Sequence, residues 1–300
     1  LKVAPKIAVT GASGFVGRHV LAELVRRDVA ATVLLRPATT APDWLQGHRI
    51  VRMDIADSPT DAFELAGRPD VLIHLAWGGL PNYKSLHHFE QELPAQYRFL
   101  KAMVGAGLRH LVVSGTCFEY GMQSGSLTEE MPAAPTNPYG LAKDMLRRQL
   151  QHLQQARLQQ AQAFSLAWAR LFYLHGQGQA PNSLLPLLQR AVERGDASFP
   201  MSGGEQLRDY LSAPEVAQHL VTLALAQRDC GIVNICSGQP TSVRALVEGW
   251  IAANGWAITP ALGHFPYPDH EPMAFWGDRR KLDRCLAAAS SPFQTPQVTP

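Results

Sequence analysis

The stretch VTGASGFVGRHV, residues 9–20, limits what this chain can fold into more than any other. It is preceded by KIA, and KIAVTG reads as a buried strand. GRHVLAELVRRD, directly after, reads as a helix. Gly11, Gly14 and Gly17 stand between them. Glycines at such a turn let the backbone bend tightly and approach a ligand closely. The helix that follows offers unpaired N–H groups and the positive end of its dipole, which suits a diphosphate. Glycines placed between a first strand and a first helix point to dinucleotide binding rather than to a merely structural turn. Ser13, Phe15 and Val16 lie within the same turn and are expected cofactor contacts.

Strand and helix signals go on alternating. ATVLLR, HRIVRMDI, DVLIHLAW and HLVVSGT repeat the strand pattern, and FEQELPAQYRFLKAMVGAG is a helix between the last two. Short apolar strands separated by helices predict a parallel sheet. The expected class is α/β, a Rossmann-type doubly wound parallel sheet with a smaller C-terminal substrate-binding lobe. Residues 1–175 are expected to form the dinucleotide-binding domain, with later segments returning to it. Residues 176–300, where the alternation weakens, are expected to be mainly the lobe.

Apolar residues make up 46% of the 300, enough for a large core. The net charge of +2, without a block of like charges, argues against a nucleic-acid or membrane surface. The four cysteines show neither metal-type spacing nor a disulfide framework, so no metal and a reducing cytoplasm are expected. The opening residues do not resemble a signal peptide, so no leader is expected, and no apolar run approaches the ~20 residues of a membrane span.

The second strand ends in Arg36, where a chain reading NAD usually carries a carboxylate. A guanidinium there can pair with a 2′-phosphate, so NADP is expected over NAD. Further along, NPYGLAKDML opens a helix at Pro138 and sets Tyr139 and Lys143 four residues apart, on one face. A cation ~4 Å from a phenol, at an effective dielectric near 20, is worth roughly 4 kcal/mol. That would bring the tyrosine from about 10 to near 7, a useful acid at neutral pH.

The GxxGxxG turn followed by Tyr-x-x-x-Lys resembles the short-chain dehydrogenase/reductase superfamily, and length and partner motifs resemble its extended branch. Members of that branch mostly act on nucleotide sugars. The resemblance runs from Ile7 to about Asp278. It implies that Asp54 and Ile55 lie by the adenine, and that Leu75, Ala76 and Trp77 flank the cofactor. In VVSGTCFEYG it makes Thr116 the catalytic hydroxyl beside Tyr139 and Lys143, with Lys143 also binding the nicotinamide ribose. It implies substrate contacts at Phe172, Asn182, Ser183, Phe199 and Arg208, the last a diphosphate ligand. Arg208 paired with Asp209 or another neighbour is the structural alternative. Tyr173 stands where asparagine is usual, and His175 where tyrosine is usual. Tyr267, Pro268 and Asp269 occupy the region where a substrate arginine often sits.

Sugar 4,6-dehydratases resemble TDEVYG, with an acid pair after the threonine; Cys117 and Phe118 hold those positions here. Phenylalanine cannot exchange a proton, which disfavours dehydration. It disfavours epimerisation at C3 or C5 too, although His175 and Glu119 remain candidate substitutes. Simple reduction of an NDP-4-keto-6-deoxyhexose at C4, dTDP-linked, is the expected reaction, with Tyr83 touching the sugar. The alternatives are an NAD(P)-dependent nucleotide-sugar epimerase and a non-catalytic NADP-binding regulator. The resemblance also implies a homodimer built on two helices per subunit.

Overall fold

A computed structural model describes residues 4–267 and 271–290. In chain order the first half runs β1 (Ile7–Thr10), α1 (Phe15–Arg26), β2 (Ala31–Leu35), β3 (Arg49–Arg52), α2 (Ala62–Leu65), β4 (Val71–His74), α3 (Leu93–Ala106), β5 (His110–Thr116), β6 (Gly125–Leu127), α4 (Pro138–Gln159) and β7 (Ser165–Leu171). The rest runs β8 (Tyr173–His175), α5 (Leu184–Glu193), β9 (Ser198–Pro200), β10 (Leu207–Ser212), α6 (Ala213–Ala226), β11 (Gly231–Ile235), β12 (Pro240–Ser242), α7 (Val243–Asn254), β13 (Thr259–Ala261), β14 (Phe275–Gly277) and α8 (Arg280–Ser290).

Seven strands form one parallel sheet in the order β11-β7-β5-β4-β1-β2-β3. β1 and β4 are buried along their whole length, as continuous apolar strands covered on both faces must be. Val20, Leu24, Val216, Leu220 and Leu282, from α1, α6 and α8, pack one face. Phe99, Leu100, Met103, Leu146 and Leu150, from α3 and α4, pack the other. The chain reverses its winding between β1 and β4, and such sheets bind ligands at the carboxyl ends of strands beside that switch.

Local signals set the helix starts. Asn137 caps α4 by accepting from Gly140 N at 2.8 Å, and Pro138 opens it. Ser212 and Glu215 form a reciprocal capping box at α6. A smaller lobe assembles from separated pieces: β8, β10 and β12 in one sheet, β9 paired with β13, and α5 and α7 over Leu188, Phe199, Met201, Val247 and Ile258. β11, α6 and α8 come from the later half yet belong to the large sheet and its cover.

Candidate active site

Between β1 and α1, backbone crowding dictates the glycines. Gly11 has φ +71°, and a Cβ on it would lie 2.7 Å from Ala76 N. A Cβ on Gly17 would lie 2.2 Å from Gly11 O, so Gly17 seats the helix on the turn. Gly14 caps α1 without a side-chain bond, which leaves the first N–H groups of the helix to a ligand.

A cavity of about 330 Å³ opens here. It is lined by Gly11, Ser13, Gly14, Arg36, Asp54, Ile55, Leu75, Ala76 and Trp77, all expected from the sequence. Arg36 and Asp54 are exposed on it. Close-approach glycines and free helix N–H groups together fit the diphosphate of a dinucleotide. Bound there, a nicotinamide cofactor would supply or accept a hydride.

A second cavity of about 550 Å³ shares Leu75 and Trp77 with the first. Phe15, Val16, Tyr83, Thr116, Tyr139, Lys143, Phe172, Asn182 and Ser183 line it. Thr116 ends β5 and lines the cavity beside Tyr139; its hydroxyl accepts from Phe118 N at 3.3 Å. Tyr139 is held from behind, its N–H donating to Tyr83 O at 3.1 Å. Lys143, one turn on, donates from Nζ to Ser114 O at 2.8 Å. The tyrosine ring meets those of Tyr83 at 5.4 Å and Phe118 at 6.3 Å.

The electrostatics correct one expectation. Burial pushes the Tyr139 phenol above its ordinary value; Tyr83, Glu119 and Cys117 act in the same sense and the Thr116 hydroxyl opposes them. Burial also draws Lys143 down to about 7, against the pull of Glu119 and Glu92. Desolvation therefore outweighs the cation, and the phenol is not brought near neutrality by this chain alone.

Two expected substrate residues lie off the cavity lining. Phe199 is packed in the lobe core with Leu188, Met201, Val247 and Ile258, because β9 turns it inward. Arg208 is 3% exposed and donates to Leu207 O at 2.9 Å, Met273 O at 3.3 Å and Glu271 at 3.0 Å. Its guanidinium also lies 4.6 Å from the Phe275 ring centroid. Asp209 is not its partner, since that carboxylate accepts from Ser237, Gly238 and Gly277 N–H groups. Tyr267 is exposed, and Pro268 and Asp269 lie outside the described residues.

Glu271 was missed. It lines the larger cavity and accepts from Tyr173 Oη at 2.5 Å as well as from Arg208. A single glutamate in an irregular segment carries no periodic signal, and only the fold brings it to Tyr173. Neither candidate substitute acid lines the larger cavity. Glu119 is fully buried, accepting from Thr116 N at 2.9 Å, Trp168 Nε1 at 2.9 Å and Arg170 Nε at 2.7 Å. His175 stacks edge-on against Trp250, 5.4 Å away. Among the described residues no group of three or more His, Cys, Asp or Glu could hold a metal ion.

The profile of the NAD dependent epimerase/dehydratase family matches residues 7–236. The chain belongs to that family. It is an enzyme of the extended short-chain dehydrogenase/reductase type, in a family of NAD-dependent oxidoreductases and epimerases. A relative from Aggregatibacter actinomycetemcomitans, a dTDP-6-deoxy-L-talose 4-dehydrogenase (NAD(+)), is 30% identical over 272 residues. The match covers 90% of this chain and 98% of the relative. A UDP-glucose 4-epimerase from Neisseria meningitidis serogroup C is 26% identical, with 84% of each chain covered. Among solved structures, MoeE5 in complex with UDP-glucuronic acid and NAD is 27% identical with a TM-score of 0.77, covering 94% of this chain and 92% of that one. No helix among the described residues is long and apolar enough to cross a membrane.

Proposed function

We propose that this enzyme reduces the 4-keto group of a nucleotide-linked 6-deoxyhexose, dTDP-linked, with NADPH. The aromatic wall carries the reading. Phe118 stands where a dehydratase or a C3/C5 epimerase needs a proton carrier, and it packs instead on Tyr83 at 5.0 Å and on Tyr139. Leu80 and Pro81 continue this apolar lining, which suits a methyl group at C6. The Aggregatibacter relative is named as a 4-dehydrogenase of a dTDP-6-deoxyhexose, and C4 oxidation is the reverse of this reduction.

The residues divide the work. A phenol held above its ordinary value keeps its proton at neutral pH, so Tyr139 donates it to the carbonyl oxygen as that oxygen gains charge. Thr116, in the same cavity wall as Tyr139, donates to the same oxygen. Lys143 supplies positive charge beside the pair and binds the nicotinamide ribose. Asn182 and Ser183, at the start of α5, take the diphosphate. Arg208 acts one carboxylate behind the cleft surface, through Glu271.

Preference for NADPH rests on Arg36, exposed on the smaller cavity at the end of β2; the Aggregatibacter relative is named for NAD(+). Arg36→Ala is expected to weaken NADPH binding by roughly 1.5–3 kcal/mol, the range for a charged hydrogen bond. NADH binding should hardly change. Equal binding of both cofactors by the unaltered protein would remove the preference.

A 4-epimerase is the second reading, favoured by the UDP-glucose 4-epimerase relatives. Two incubations decide between them: dTDP-4-keto-6-deoxyhexoses with NADPH in deuterated water, and the C4-alcohol sugar nucleotide without added NADPH, where a 4-epimerase interconverts the two C4 alcohols. The expected result is one NADPH oxidised per C4 alcohol formed, with C3 and C5 free of enzyme-dependent deuterium. Deuterium at either carbon, or sugar interconversion without net NADPH oxidation, overturns it.

A further inference from the structure

Trp77 and His88 stand out around the Tyr139–Lys143 pair. Trp77 lies three residues past β4, and His88 opens the π-turn (His88–Glu92) that leads into α3. His88 is fully buried. The Trp77 indole N–H donates to His88 Nδ1 at 3.0 Å, and His88 Nε2 lies 2.9 Å from Asn82 O. An indole can only donate and a carbonyl can only accept, so the imidazole proton is on Nε2 and the ring is neutral. Both rings pack on Tyr139, Trp77 at 6.0 Å and His88 at 5.3 Å.

Trp77 also faces the ammonium. Lys143 Nζ lies 4.1 Å from the indole centroid, and Lys143 is 1% exposed. The carboxylates that attract it are engaged elsewhere. Glu119 is held by Trp168 and Arg170, and Glu92 accepts from Gln96 at 2.8 Å and lies 3.3 Å from His87 Nε2. An indole face is the strongest aromatic partner for a cation, and more so when both are desolvated.

We propose that Trp77, fixed by the neutral His88, is a positioning residue that keeps Lys143 charged next to Tyr139. This rests on the reading of Tyr139 and Lys143 as the reacting pair. The sign follows from the two opposing effects. Burial favours the neutral amine and the indole face favours the ammonium, so loss of the ring moves the Lys143 titration to lower pH. The other titratable groups facing Lys143 are His74, Glu92, Glu119 and Tyr139. His74 stays neutral across the relevant range, held near 3 by burial.

The test uses the full chain with Trp77→Leu, Trp77→Phe and His88→Ala. Two quantities are read: the Lys143 Nζ titration by nitrogen-15 NMR without substrate, and the pH profile of kcat with NADPH and a dTDP-4-keto-6-deoxyhexose. Trp77→Leu should lower the Lys143 midpoint by about one pH unit, with the alkaline limb of kcat moving alongside it. Trp77→Phe keeps an aromatic face and should shift it by only a few tenths of a unit. His88→Ala should shift it in the same direction, and should add nothing in the Trp77→Leu background. An unmoved midpoint in folded Trp77→Leu overturns the inference. Should that variant lose its circular-dichroism signature, the Phe variant decides, and a midpoint equal to the parent's overturns it. A Lys143→Ala enzyme with parental turnover would instead refute the catalytic reading, while leaving the NMR result to stand by itself.

Discussion

At Tyr139 one oxygen separates packing from chemistry. Tyr139→Phe keeps the ring contacts to Tyr83, Trp77 and His88 and removes the proton. Turnover is expected to fall at least ~100-fold, the size of a general-acid contribution, while cofactor binding followed by fluorescence is unchanged. Near-parental turnover would withdraw the assignment. His74 governs a different property. Its Nδ1 lies 2.9 Å from Thr10 Oγ1 and its Nε2 2.8 Å from Gln96 Oε1, and burial brings its pKa down from 6.5 to about 3. Between those values the unfolded chain binds a proton that the folded chain refuses. This stabilisation is complete above pH 6.5 and is lost as the pH falls towards 3. Urea midpoints measured at pH 7 and pH 4 should therefore drop less in His74→Gln than in the parent; an equal drop would show that His74 is not the group responsible.

At the scale of the element, α3 and α4 place their apolar faces inward. Phe99, Leu100, Met103, Leu146 and Leu150 are buried in the sheet cover. What α4 turns outward is Leu141 at 37% and Met145 at 42% exposure near its start and Leu158 at 66% near its end, with Arg148 and His152 exposed between them, whereas α3 turns out Arg98, Lys101 and Ala102. The expected homodimer through these helices must therefore close on a smaller apolar surface than the sequence suggests. Met145→Glu would put a charge beside Leu141. Light scattering is expected to show a dimer for the parent and a monomer for the variant, and a parent that is monomeric at micromolar concentration would remove the proposal.

For the whole molecule, the order of the chain and the order of the sheet disagree, and stability follows the sheet. β11 pairs with β7 from Gly231↔Ala167 to Ile235↔Leu171, and α6 packs Val216, Leu220 and Val221 into the same core as Val20 and Leu24 of α1. A fragment ending at residue 175 would expose that core face and leave β7 as an open edge. Residues 1–175 alone are expected to aggregate or to lack dispersed amide resonances in NMR. A well-dispersed spectrum from the fragment would show that the first part folds without β11, α6 and α8.

Much of the site was legible because its instructions are local. The steric need for Gly11 and Gly17, the Asn137–Pro138 start of α4 and the four-residue spacing of Tyr139 and Lys143 act within a few residues, so the sequence alone determined the turn, the helix and the shared face. The apolar strand runs likewise determined a parallel α/β fold. Other features depend on what folds around a residue. Glu271 reached the cavity, Arg208 withdrew behind it, and Phe199 turned into the lobe core through contacts between distant segments. Trp77 and His88 met across a turn with no periodic pattern. The charge state of Lys143 and the raised phenol of Tyr139 follow from desolvation, which belongs to the packed molecule and to no stretch of sequence.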